Sequence, residues 1–65
     1  MYRFKKESLG NLKIDKTDLS KAIGISRQSA SNIITNRTNC RKTTAYCITK
    51  YINENAEIND YFERV

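Results

Sequence analysis

The sequence predicts an all-α fold: one compact domain of four to five short helices. Three observations predict it. Apolar residues recur at helical spacing from about residue 16 to residue 52. Helix start and stop signals bracket those stretches, with Asp15 and Ser26 as caps and Gly24 as a terminator. The 65-residue chain has no proline, no repeat and no low-complexity segment that would mark a linker. A chain of this length buries only about 60% of its unfolded surface, so a tight helical core is the economical solution.

The first helix is expected over about residues 5–12, with Phe4, Leu9 and Leu12 turned inward. Gly10 weakens it by about 1 kcal/mol relative to alanine. Asp15 opens the second helix. Its carboxylate can accept from first-turn amides, and Asp18 places a second acid at the positive end of the helix dipole. Ile14 before the cap and Leu19 after it form a hydrophobic staple. Leu19, Ala22 and Ile23 then share one face, and the helix stops at Gly24, where a positive φ carries no steric penalty.

Ile25 turns back to the core and Ser26 caps a third helix, whose Ala30, Ile33 and Ile34 face inward. That helix ends near Asn36, where Asn-Arg-Thr-Asn reads as a polar turn. A fourth helix covers about 42–52, with Ala45, Ile48 and Ile52 inward and Tyr46 and Tyr51 flanking. A last helix is expected over about 56–64, capped by Asn55. Its apolar side is Ile58, Tyr61, Phe62 and Val65, and its polar side is Glu57, Asp60 and Glu63. Cys40 and Cys47 lack the paired spacing of a metal knuckle and read as buried or half-buried thiols.

The net charge is +5, but its distribution says more. Between Asp18 and Glu54 there is no acidic residue, while Lys21, Arg27, Arg37, Arg41, Lys42 and Lys50 are all positive. The positive field therefore centres on the helix pair joined at Gly24, which favours a polyanionic partner. A membrane surface fits poorly, because the basic helices lack bulky apolar anchors on their free faces. No apolar run approaches the ~20 residues of a membrane span. The basic start, MYRFKKES, has no hydrophobic segment, so no signal peptide is expected, and a cytoplasmic protein with reduced thiols is. Catalysis is not expected: there is no histidine and no phosphate-binding glycine loop. Nor does the chain suggest a cofactor, a metal or a small-molecule substrate.

The outward face of the third helix carries Arg27, Gln28, Ser31, Asn32 and Thr35, each able to hydrogen-bond a base edge or a phosphate and none negative. The run Asp18-Leu19-Ser20-Lys21-Ala22-Ile23-Gly24-Ile25-Ser26, followed by Arg27-Gln28-Ser29-Ala30-Ser31-Asn32-Ile33-Ile34, resembles the helix-turn-helix of the phage Cro/repressor (xenobiotic-response-element) family. The resemblance spans about residues 15–52, with the helix-turn-helix at about 16–36. The end of the chain, AYCITKYINENAEINDYFERV, also looks like that of small helix-turn-helix proteins from Gram-positive phages and mobile elements. The chain departs from the family pattern at Ser20, usually alanine; at Ala30, usually a branched aliphatic; and at Lys16, usually glutamine.

The resemblance implies a λ-repressor-like fold and sequence-specific binding to double-stranded DNA as a transcriptional regulator of repressor or Cro type, associated with the nucleoid. By position it implies base contacts from Arg27, Gln28, Ser31 and Asn32. It implies phosphate contacts from Lys16, Ser26, Thr35, Arg37, Arg41 and Lys42. Operators read this way are usually palindromic and bound by homodimers, and Tyr61, Phe62 and Val65 are the candidate dimer surface. Two other readings stand beside this one: an excisionase-like or architectural DNA-binding factor, and a protein-binding antirepressor module.

Overall fold

The N-terminal residues do not begin a helix. In the computed structural model, which describes residues 1–9 and 13–65, Tyr2–Phe4 form a strand, β1, followed by a single 3₁₀ turn at Lys6–Leu9. Helices α1 (Lys16–Ile23), α2 (Arg27–Ile34) and α3 (Lys42–Ile52) follow, then a one-turn helix α4 (Ile58–Tyr61) and a second strand β2 (Phe62–Arg64). The fold is thus mostly helical with a two-stranded antiparallel sheet, rather than all-α. Over the described part of the expected helix at 5–12 the chain forms only the 3₁₀ turn, as far as Leu9; the side chain of Leu9, with Gly10 and Leu12, lies outside the described residues.

Helices α1 and α2 begin and end for the reasons the local sequence gives. Asp15 Oδ1 accepts from the amides of Thr17 at 2.8 Å and Asp18 at 3.2 Å. Gly24 adopts φ 75° and ψ 33°, so its own amide and that of Ile25 both reach the Ser20 carbonyl, at 2.9 and 3.0 Å. Ser26 Oγ caps α2 by accepting from the Ser29 amide at 3.0 Å. Asn36, at φ 64°, ends α2: its amide donates to Ile33 O and that of Arg37 to Asn32 O. That pairing is a Schellman motif with asparagine in the left-handed position.

The expected last helix over 56–64 is corrected. Asn55 caps no helix; its amide donates to Asn53 Oδ1 at 3.0 Å. Glu57 precedes α4, and its amide donates to Asp60 Oδ2 at 2.9 Å. After one turn the chain extends into β2, which pairs Tyr2 with Arg64, Arg3 with Glu63 and Phe4 with Phe62. On its other edge β1 is bridged to Cys40: Tyr2 N–H donates to Cys40 O at 2.7 Å and Cys40 N–H to Tyr2 O at 2.9 Å.

The core gathers Phe4, Leu19, Ala30, Ile33, Ile34, Cys40, Ala45, Ile48 and Phe62. Phe4 and Phe62 meet edge to face with ring centroids 5.2 Å apart, joining the two ends of the chain beneath the helices. Ile14, Ile23, Ile25, Ile52, Ile58 and Tyr61 pack against this core while partly exposed. The fully buried Thr49 keeps its hydroxyl on the Ala45 carbonyl at 2.8 Å, and the buried Ser20 donates to Thr17 O at 2.7 Å. Ala22, Tyr46 and Val65, expected in or beside the core, are exposed. Of the two thiols, only Cys40 is buried; Cys47 is on the surface. Burial pushes the Cys40 thiol up to about 11.

Phe62 is completely buried, so it leaves the candidate dimer surface; Tyr61 packs partly inward, and Val65 alone of the three is well exposed. The exposed polar side of the predicted helix is also rearranged. Glu63 lies on the outer face of the ribbon, ion-paired with Arg3.

Candidate nucleic-acid interface

Helices α1 and α2 start beside one another. Their first residues, Lys16 and Arg27, line a single cleft of about 290 Å³ together with Gln28 and Ser31. Four of the candidate contact residues, from two helices, thus share one concave surface. Three residues around Gly24 join the two helices, and α1 packs directly on α2. Arg27 and Gln28 are exposed, whereas Ser31 and Asn32 are half-buried one turn further along. Gln28 Nε2 donates to Asn32 Oδ1 at 3.1 Å, so two candidate base-reading amides hold each other across one helical turn. Among the described residues, Gln28 Oε1 and Asn32 Nδ2 have no hydrogen-bond partner.

Neither α2 nor α3 has an acidic residue in its first turn. The carboxylates closest in sequence to α2, Asp15 and Asp18, belong to the start of α1, and Asp15 is occupied by the amides it caps. The outward surface of α2 is therefore free of its own negative charge, and the positive end of its dipole opens into the cleft with Arg27.

The candidate phosphate contacts divide into two groups. Lys16 lies in the cleft, and Arg37, Arg41 and Lys42 are exposed on the segment that leads from α2 into α3. The two hydroxyls are engaged. Ser26 Oγ accepts from the Ser29 amide and is hydrogen-bonded to Ser29 Oγ at 2.9 Å. Thr35 Oγ1 donates to the Ser31 carbonyl at 2.7 Å. A phosphate oxygen accepts hydrogen bonds, so Thr35 can meet one only by releasing that carbonyl.

Two lysines, one in the central stretch and one near the N-terminus, are committed elsewhere. Lys50 Nζ donates to the carbonyls of Ala56 at 2.7 Å and Glu54 at 3.2 Å, closing the turn after α3, and lies 5.5 Å from the Tyr46 ring centre. Lys5 Nζ donates to Asn59 O at 2.6 Å, tying the N-terminal segment to α4.

The structure adds a residue that sequence reasoning missed. Arg64 lines a second cleft, of about 400 Å³, with Met1, Tyr2, Arg41 and Lys42. No local signal marks it, because the pairing that brings it beside Arg41 joins opposite ends of the chain. Among the described residues there is no cluster of three or more potential metal ligands and no helix long and apolar enough to cross a membrane. Comparison with family models, with curated proteins and with solved structures finds no match to this chain.

Proposed function

We propose that this chain binds double-stranded DNA in a sequence-specific manner, as a transcriptional regulator of repressor or Cro type, with α1 and α2 acting as a helix-turn-helix and α2 lying in the major groove. One observation carries the reading: Lys16, Arg27, Gln28 and Ser31, from the starts of two successive helices, converge on one acid-free concavity. Arg27 can engage a guanine by its paired donors, and Gln28 or Asn32 an adenine. Lys16 at the start of α1 serves the phosphate beside them, fixing register without reading sequence. The resemblance of residues 15–52 to the Cro/repressor family points the same way.

Selection of duplexes from a random pool, followed by fluorescence anisotropy with the selected site, tests the reading. The parent should enrich a defined site, symmetric if two copies bind. Arg27→Ala and Gln28→Ala should each lose about 1–3 kcal/mol of discrimination, roughly 5- to 150-fold, at a particular base position. Enrichment of no sequence, or full retention of affinity and preference by both variants, overturns it.

A further inference from the structure

We infer that the cleft between the terminal ribbon and the start of α3 is a second seat for a backbone phosphate of the bound duplex, with Arg64 as a contact residue. The inference rests on the proposed DNA binding and adds to it a site built by the two ends of the chain.

The ribbon determines which side chains face the cleft. Phe4 and Phe62 form a cross-strand pair with both rings in the core. Side chains alternate along a strand, so Tyr2 and Arg64, also a cross-strand pair, project from that same face. Arg3 and Glu63 project from the opposite face, where they pair with each other. The alternation therefore separates Arg64 from the carboxylate next to it in sequence. The two hydrogen bonds between Tyr2 and Cys40 then hold this edge of the ribbon against the residue that immediately precedes Arg41 and Lys42.

The result is a cleft of about 400 Å³ lined by Arg41, Lys42, Arg64, Tyr2 and Met1. Three cationic side chains line it, no carboxylate side chain does, and none of the three makes an ion pair among the described residues. Three like charges grouped around one hollow favour an anion between them.

The donor set suits a phosphate. Two guanidinium groups offer forked donors, and Lys42 adds a point charge. The eleven-residue α3 begins at this point with no side-chain cap on its first-turn amides. The position along the chain also fits. One cationic cleft lies at the start of α2, and this one follows its end after a short exposed segment. The eight residues of α2 rise about 12 Å, comparable to the ~12 Å width of the major groove. A helix seated there runs between two phosphate chains, so DNA binding as proposed leaves a place for a second phosphate holder.

Anisotropy titrations over a salt series, with the parent, Arg64→Gln, Arg64→Lys and Arg3→Gln, test the inference. Arg64→Gln should weaken binding roughly three- to tenfold, equally for the selected and a scrambled duplex, and make the slope of log K against log salt shallower by about 1. Arg64→Lys should restore most of both, and Arg3→Gln, on the other face of the ribbon, should change neither slope nor preference. If the parent binds its site and Arg27→Ala disrupts it while Arg64→Gln matches the parent, the second seat is wrong and the role of α2 stands. If the parent binds no duplex, both fall together. Titration with inorganic phosphate, followed by amide shifts, separates the two sources of the ligand. Saturable shifts at Tyr2, Arg41 and Lys42 combined with unaltered duplex binding by Arg64→Gln would assign the cleft to a free anion and overturn its assignment to DNA.

Discussion

Gly24 occupies the left-handed region at φ 75°, and a β-carbon built there meets no atom within 4 Å. The need for glycine is therefore torsional rather than steric. Gly24→Ala should lower unfolding free energy by about 1–2 kcal/mol, and Gly24→Asn by less, since asparagine tolerates this region and already does so at Asn36. Urea titrations followed by circular dichroism measure both; equal losses for the two would assign the loss to something other than backbone torsion. The same position shows why single residues were legible in this part of the sequence. Asp15, Gly24 and Ser26 act on backbone groups two to four residues away. Their partners can be read without knowing the fold. Thr35 was legible only in part for the converse reason: its polarity is visible in sequence, but the Ser31 carbonyl that takes its proton depends on its orientation on α2.

The helices α1 and α2 were legible because each combines a cap with an apolar face at helical spacing, and α3 because Ala45, Ile48 and Ile52 repeat at that spacing even without a side-chain cap. The two ends of the chain were not. Ile58, Tyr61, Phe62 and Val65 fit a helical stripe, but Phe62 in fact belongs to a three-residue strand paired with residues some sixty positions earlier. Three residues are too few for alternation to stand out against a helical pattern, and strand partners so distant leave no local mark. The ribbon depends instead on tertiary packing, above all the contact of Phe4 with Phe62. Phe62→Ala should therefore cost about 3–5 kcal/mol, a large share of the roughly 3–10 kcal/mol that a chain of this size holds in total. Phe62→Leu, which refills most of the volume, should lose much less. Thermal unfolding by circular dichroism should show a greatly lowered or absent transition for the alanine variant. An unchanged midpoint would mean the ribbon frays without consequence for the core. The exposed Arg3–Glu63 pair offers little compensation, because ion pairs open to solvent contribute about 0–1 kcal/mol.

The whole molecule measures 23 × 23 × 19 Å, shorter than the ~34 Å that separates successive faces of a major groove. One copy can cover one half-site, so a symmetric selected site would require two copies. The candidate site was legible in sequence as far as its charge: the acid-free span between Asp18 and Glu54 already placed the positive field on the helix pair. The number of those charges available to a partner became visible only in the fold. Lys50 and Lys5 hold backbone carbonyls, which removes them, and Arg64 joins from the far end of the chain. Under the proposed DNA binding, Lys16, Arg37, Arg41, Lys42 and Arg64 are the cations assigned to phosphates. Five contacts per copy imply a slope of log K against log salt of about −4.5, so raising salt fourfold should weaken binding about 500-fold for each copy bound. A protein-binding module would respond otherwise: its affinity would rest on buried apolar and hydrogen-bonded contact and change little over the same range. Equilibrium titrations of one labelled duplex between about 50 and 200 mM salt decide between them. A slope shallower than about −1 would show that this basic surface does not track a phosphate backbone.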